Sequence, residues 1–130
     1  KGKLKKLIKK SEELLVDTCH SEASAENLYK YLRTLKKPLY AIWGMQKNKM
    51  PEKFIKKFKN IFKKIVTVTI PNEPNALGAN ELKKDCLKNK YKTESAINIF
   101  QAIKKCSGFE KKTIVILGSN YLIGHVLSKN

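Results

Sequence analysis

Short apolar runs that alternate with segments of helical spacing constrain this chain more than any other feature. The runs lie at 13–16, 39–44, 65–70 and 113–117, and between them apolar positions recur every three or four residues. Strands separated by helices of that length need crossover connections, which are right-handed. The pattern therefore predicts an α/β fold, a three-layer, mostly parallel, doubly wound sheet with helices on both faces.

The intervening segments can be placed individually. Ser21 is a candidate N-cap for a helix reaching about Leu35, with Ala25, Leu28, Leu32 and Leu35 on one face. Pro51 suits the first turn of a second helix, whose stripe is Phe54, Ile55, Phe58, Ile61 and Phe62. A third helix is expected from about Gly78 to Lys88, with Leu82 and Cys86 inward. Lys90-Tyr91-Lys92 reads as a short strand, and Thr93 as the N-cap of a fourth helix carrying Glu94, Ala96, Ile97, Phe100 and Ile103. Gly118-Ser119-Asn120 turns the last strand into a helix over 121–127. Residues 1–10 are expected to be an edge strand or a linker, in preference to a basic amphipathic helix on a membrane surface.

At 130 residues the chain is expected to form a single domain spanning 1–130. No apolar run approaches the ~20 residues of a membrane-spanning helix. The chain starts on Lys1 and its only methionines are Met45 and Met50, so a piece of a longer protein is expected, holding part of a site. Its first residues lack the layout of a signal peptide. Cys19, Cys86 and Cys106 are odd in number and widely spaced, so neither a disulfide framework nor a zinc site is indicated, and a reducing cytoplasm fits best.

The net charge of +17 comes from 28 basic residues, of which only Arg33 is an arginine. Readers of phosphates and base edges use the bidentate arginine fork. Scattered lysines read instead as a solvated surface, with a basic nucleic-acid-binding α/β module as the alternative. A membrane partner and a specific nucleic acid are not expected.

Chemistry is concentrated where two strands end. Open α/β sheets bind ligands outside the carboxyl ends of their strands, which is where Asp17 and His20 stand. The Ser119 turn repeats the layout, and backbone N–H groups at its helix start suit a carboxylate or phosphate. A Cys19 thiolate, an Asp17–His20 acid/base pair and simple helix caps are the competing roles. No P-loop or Gly-x-Gly-x-x-Gly motif is present, no metal ligand set is expected, and His125 reads as structural.

In order along the chain, Leu15-Val16-Asp17-Thr18-Cys19-His20-Ser21, Trp43-Gly44-Met45, Ile70-Pro71-Asn72-Glu73-Pro74-Asn75-Ala76-Leu77 and Leu117-Gly118-Ser119-Asn120-Tyr121-Leu122-Ile123-Gly124 carry a resemblance. With the closing Val126-Leu127-Ser128-Lys129-Asn130, the chain resembles the C-terminal domain of bacterial folylpolyglutamate synthase/dihydrofolate synthase, of the Mur ligase group. It departs from the family pattern at Thr18, Ser21 and Asn120. The resemblance implies a Rossmann-like domain of an ATP-dependent amide ligase that joins glutamate to folate or dihydropteroate through an acyl phosphate. It implies that Asp17 contacts the nucleotide and that His20, Ser119 and Tyr121 position L-glutamate. Gly2-Lys3-Leu4 stands where the family has Gly-Arg-Leu, which implies Lys3 at ATP. ATP and magnesium belong, on this resemblance, to the parent enzyme, and its central P-loop domain is the partner without which the chain is inactive. No catalytic side chain is implied here.

Overall fold

A computed structural model describes residues 3–36, 38–108 and 110–129. Lys1, Gly2 and Asn130, which belong to the leading segment and the closing motif, lie outside the described residues.

Five strands form one sheet: β1 (Glu12–Val16), β2 (Leu39–Trp43), β3 (Phe62–Thr67), β4 (Thr93–Ser95) and β5 (Lys112–Leu117). Their order is β1-β5-β2-β3-β4 and each pairing is parallel. Five helices connect or follow them: α1 (Glu22–Leu32), α2 (Pro51–Lys56), α3 (Ala79–Lys88), α4 (Ile99–Cys106) and α5 (Asn120–Lys129). The α/β class and the parallel sheet are as the alternation predicted.

The period of two along the strands sorts side chains between two cores. Ala41, Trp43, Ile65, Val115 and Leu117 face α1, α2 and α3, meeting Leu28, Phe54, Phe58 and Leu82. Ile42, Val66, Ile114 and Ile116 point the other way, onto Ala102 and Ile103 of α4 and Leu122 and Val126 of α5. Both faces are covered, which is why β5 reads as one continuous buried run.

Several boundaries differ from the sequence reading. The predicted second helix stops at Lys56, because Lys59 and Asn60 both take left-handed φ values, 48° and 60°. Phe62 therefore opens β3, eight residues ahead of the predicted end at Ile70, and the strand ladder ends at Thr67. Its ring still packs on Phe58, at 5.2 Å, so the aromatic stripe survives a change of element. The short strand is Thr93–Ser95 and not 90–92, since Lys90 is left-handed and the chain pairs with β3 only from Thr93. Thr93 is thus no cap; Asn98 caps α4 by accepting from the Gln101 N–H at 2.8 Å. The first helix ends at Leu32, three residues short of Leu35. Residues Lys5–Leu7 form a 3-10 turn and no edge strand, and Leu4 is fully buried in the core under α4.

Candidate functional site

The strand order creates the site. The helices after β1 and β2 lie on one face and the helix after β5 on the other, so the chain diverges at the carboxyl ends of three adjacent strands. Such a switch point opens a crevice in an α/β sheet.

At the end of β1, Asp17 continues the ladder by donating its N–H to the Ile116 carbonyl at 2.9 Å. Its Oδ1 accepts the Cys19 N–H at 2.8 Å, a side-chain turn that bends the chain out of the sheet. Ser21 then caps α1: its Oγ accepts the Ser24 N–H at 3.1 Å, and Ser24 Oγ accepts the Ser21 N–H at 3.1 Å. The His20 N–H donates to the same Ser24 Oγ at 3.3 Å. These bonds fix the imidazole half-buried, with Nδ1 shielded from solvent and without a hydrogen-bond partner among the described residues.

At the end of β5, Gly118 has φ +115°, and a Cβ there would strike the Gly44 carbonyl and the Trp43 ring. Only glycine lets the two strand ends approach this closely. Ser119 follows, buried, with its Oγ accepting the Tyr121 N–H at 3.0 Å and the Leu122 N–H at 3.5 Å. The helix-start N–H groups expected to be free for a ligand are therefore held by the Ser119 hydroxyl. Ser119 is the cap, and the next two side chains, Asn120 and Tyr121, face the crevice.

The loop after β2 supplies the third wall. Gln46, Lys49, His20, Asn120 and Tyr121 line one cleft of about 230 Å³. Glu73 braces it, accepting from Gln46 Nε2 at 3.0 Å and the Asn75 N–H at 3.1 Å, which gives the Pro71–Pro74 segment a physical task. Lys49 is half-buried and has no carboxylate partner among the described residues. Sequence reasoning overlooks Gln46 and Lys49; the available signal is their place just past β2, beside the Gly44-Met45 pair.

His20 also lines a wider cavity of about 470 Å³ with Asp17, Thr18, Ser24, Asn27 and Tyr31. The structure thus brings Asp17, His20 and Tyr121 to one crevice, places Ser119 beneath it, and leaves Lys3 exposed and outside both cavities. The Cys19 thiol is buried, and burial first, then the Asp17 charge, push its pKa up to about 12. It is no nucleophile at neutral pH. Cys86 and Cys106 are buried core residues as expected, and burial likewise pushes each up to about 12. His125 sits half-buried in α5, with its pKa lowered by burial and by Lys129. Among the described residues no three His, Cys, Asp or Glu side chains form a metal cage, and no helix is long and apolar enough to cross a membrane.

Comparison with known proteins agrees with this fold. The model of the family described as dihydrofolate synthetase, C-terminal domain, matches residues 1–129. E. coli FolC in complex with DHPP and ADP has a TM-score of 0.79 and 19% identity, over 94% of this chain and 29% of its own. Mycobacterium tuberculosis folylpolyglutamate synthase complexed with ADP and AMPPCP has a TM-score of 0.78 and 20% identity, over 88% and 29%. Thermotoga maritima folylpolyglutamate synthase has a TM-score of 0.73 and 26% identity, over 86% and 26%. The chain thus spans less than a third of each of these structures' chains. No curated protein matches it. A family match over nearly every residue does not favour the basic nucleic-acid-binding alternative, and the chain belongs to the family of dihydrofolate synthetase C-terminal domains.

Proposed function

We propose that this domain supplies the glutamate-contacting and part of the nucleotide-contacting surface of an ATP-dependent folate–glutamate amide ligase. The observation that carries the reading is the convergence of His20 from the turn after β1, Lys49 from the turn after β2 and Tyr121 from the start of α5 on one cleft at the switch point. A cationic ammonium, an imidazole with an unpartnered nitrogen and a phenol suit an amino acid that brings two carboxylates. Asp17, an acceptor on the adjoining cavity, suits ribose or amine donors of a nucleotide.

ATP, when bound, supplies the phosphoryl group that converts the folate or dihydropteroate carboxylate to an acyl phosphate. The chain's own residues act by placement. Lys49 and Tyr121 hold the glutamate carboxylates, and His20 orients the amine toward the acyl carbon, where nitrogen bonds and phosphate leaves with its electron pair. The released amine proton passes to solvent or phosphate. Ser119 sets the start of α5, so its role is to position Tyr121. Lys3 is assigned to the nucleotide phosphates as a point charge at the joint with a central P-loop domain. That partner is assigned magnesium and most of the ATP; among the described residues no group of three His, Cys, Asp or Glu side chains would hold the ion. On this reading the chain is inactive alone and works in a reducing cytoplasm, which three free cysteines suit.

The test is steady-state kinetics of the parent enzyme, following ATP-dependent glutamate incorporation. Lys49→Ala and Tyr121→Ala should raise KM for glutamate about tenfold or more each, with KM for ATP unchanged. Asp17→Asn should do the reverse. Glutamate KM unaffected by both cleft variants would sink the assignment.

A further inference from the structure

The amino end of the sheet, opposite the crevice, carries another cavity, of about 320 Å³, where the end of α1 meets the start of β2 and the turn before β3. Its floor is apolar, built on buried Leu32 and Leu39 and half-buried Ile61. Its rim is cationic. The Arg33 guanidinium carbon lies 5.6 Å, and the Lys59 ammonium 5.4 Å, from the centre of the Tyr29 ring, and all three residues line the cavity.

Neither cation has a carboxylate partner among the described residues, although acids stand on the same helix. Two turns back, Lys57 engages Glu22 and Glu26 at 3.8 and 3.3 Å. The same two segments are therefore joined by opposite charges at one level and by like charges around one ring at the next. Like charges gathered around one ring raise the positive potential at the cavity, and a bound anion lowers it. Arg33 is also the only arginine in a chain with 28 basic residues. Its fork accepts a carboxylate through two parallel hydrogen bonds, which the surrounding lysines cannot.

We propose that this cavity binds a small organic anion, a carboxylate carried on a flat apolar body. The apolar floor takes the body, the guanidinium takes the carboxylate, and Lys59 adds the second charge. An inorganic anion leaves the floor uncovered, and a neutral aromatic leaves the cations uncompensated. The site lies at the end of the sheet away from His20 and stands independently of the ligase reading.

The probe is 2-naphthoate, titrated into the isotope-labelled chain and followed by amide NMR shifts. The expected result is a saturable shift confined to residues around Tyr29, Arg33, Lys59 and Ile61. Inorganic phosphate and 2-naphthylmethanol should each bind about tenfold more weakly or worse. Arg33→Ala should weaken naphthoate about tenfold, and Arg33→Lys, which keeps charge and loses the fork, several-fold. Arg33 is exposed, so both variants retain the fold. Non-saturating shifts spread over the lysine surface, equal affinity for phosphate, or unchanged affinity in Arg33→Ala each overturn the proposal.

Discussion

The two ends of the β1–β5 pair are built from similar residue types and treat them in opposite ways. At the amino end, Glu12 and Lys112 are register partners whose side chains are 0% and 2% exposed. The Glu12 carboxylate accepts from the Lys9 N–H at 2.7 Å, Ser107 Oγ at 2.7 Å, the Gly108 N–H at 2.8 Å and Lys112 Nζ at 2.9 Å. Lys112 also stands 4.8 Å from the centre of the Tyr40 ring. At the carboxyl end, the Asp17 carboxylate accepts one backbone N–H, and His20 Nδ1 and the Lys49 ammonium have no such partner among the described residues. A buried network whose charges are paired locks a fold; polar groups left short of partners beside a crevice are available to whatever enters it.

Breaking the closed end should have the largest effect. Glu12→Ala leaves a buried ammonium without its counter-charge and should cost about 3–5 kcal/mol, read by urea unfolding. Replacing both partners by methionine should recover most of that loss, because the penalty is the orphaned charge rather than the absent pair. Next comes Gly118→Ala, at the open end. A non-glycine residue at that φ, pressed on the Gly44 carbonyl and the Trp43 ring, should lose about 2–4 kcal/mol. A cost this large would sharpen the contrast: the open end is open in its side chains and tightly packed in its backbone.

A smaller effect separates the ends by pH. Burial alone would raise the Glu12 pKa, but the bonds from Lys9, Ser107, Lys112 and Gly108 together carry it below the ordinary carboxylate value. A carboxyl whose folded pKa is depressed contributes stability that is fully present above its unfolded pKa of about 4.3. That contribution is lost as pH falls through the lower, folded value. Glu94 is also depressed, chiefly by its hydrogen bond from Lys64, and behaves the same way in every variant. The stability difference between the parent chain and Glu12→Gln should therefore shrink between pH 5 and pH 2, whereas the difference for His20→Ala should not depend on the Glu12 titration. Urea midpoints measured across that range check both.

The sequence speaks clearly about most of the sheet and poorly about its β4 edge. The alternation of runs is legible because β2 and β5 are buried on both faces, which leaves near-continuous apolar stretches. Thr93–Ser95 is not legible: it holds no large apolar residue, and it is a strand only because β3 lies beside it and Glu94 meets Lys64 and Lys105. Phe54, Phe58 and Phe62 keep a spacing of four, so the helical period runs on through a turn that Asn60 alone announces. Lys112 reads as one more surface lysine until its partner, a hundred residues away, is placed. The site divides likewise. Asp17 and His20 are visible as polar residues at a strand's end, whereas Lys49 and Gln46 join them only because β2 neighbours β5, a fact of topology.

The smallest expected effect on stability is at His20, and it is the one on which the comparison turns. Among the described residues the half-buried ring makes no side-chain hydrogen bond that unfolding would forfeit, and the Ser24 Oγ bond belongs to its backbone N–H, which alanine keeps. His20→Ala should therefore change unfolding free energy by no more than about 0.5 kcal/mol. If His20 orients the reacting amine as proposed, the same change in the parent enzyme should lower kcat/KM for glutamate about a hundredfold, because that contact is lost from the transition state. Stability and turnover move together for a residue that merely holds the loop. If His20→Ala costs several kcal/mol and activity falls only in proportion to the folded fraction, the open end is as structural as the closed one, and the contrast between them fails.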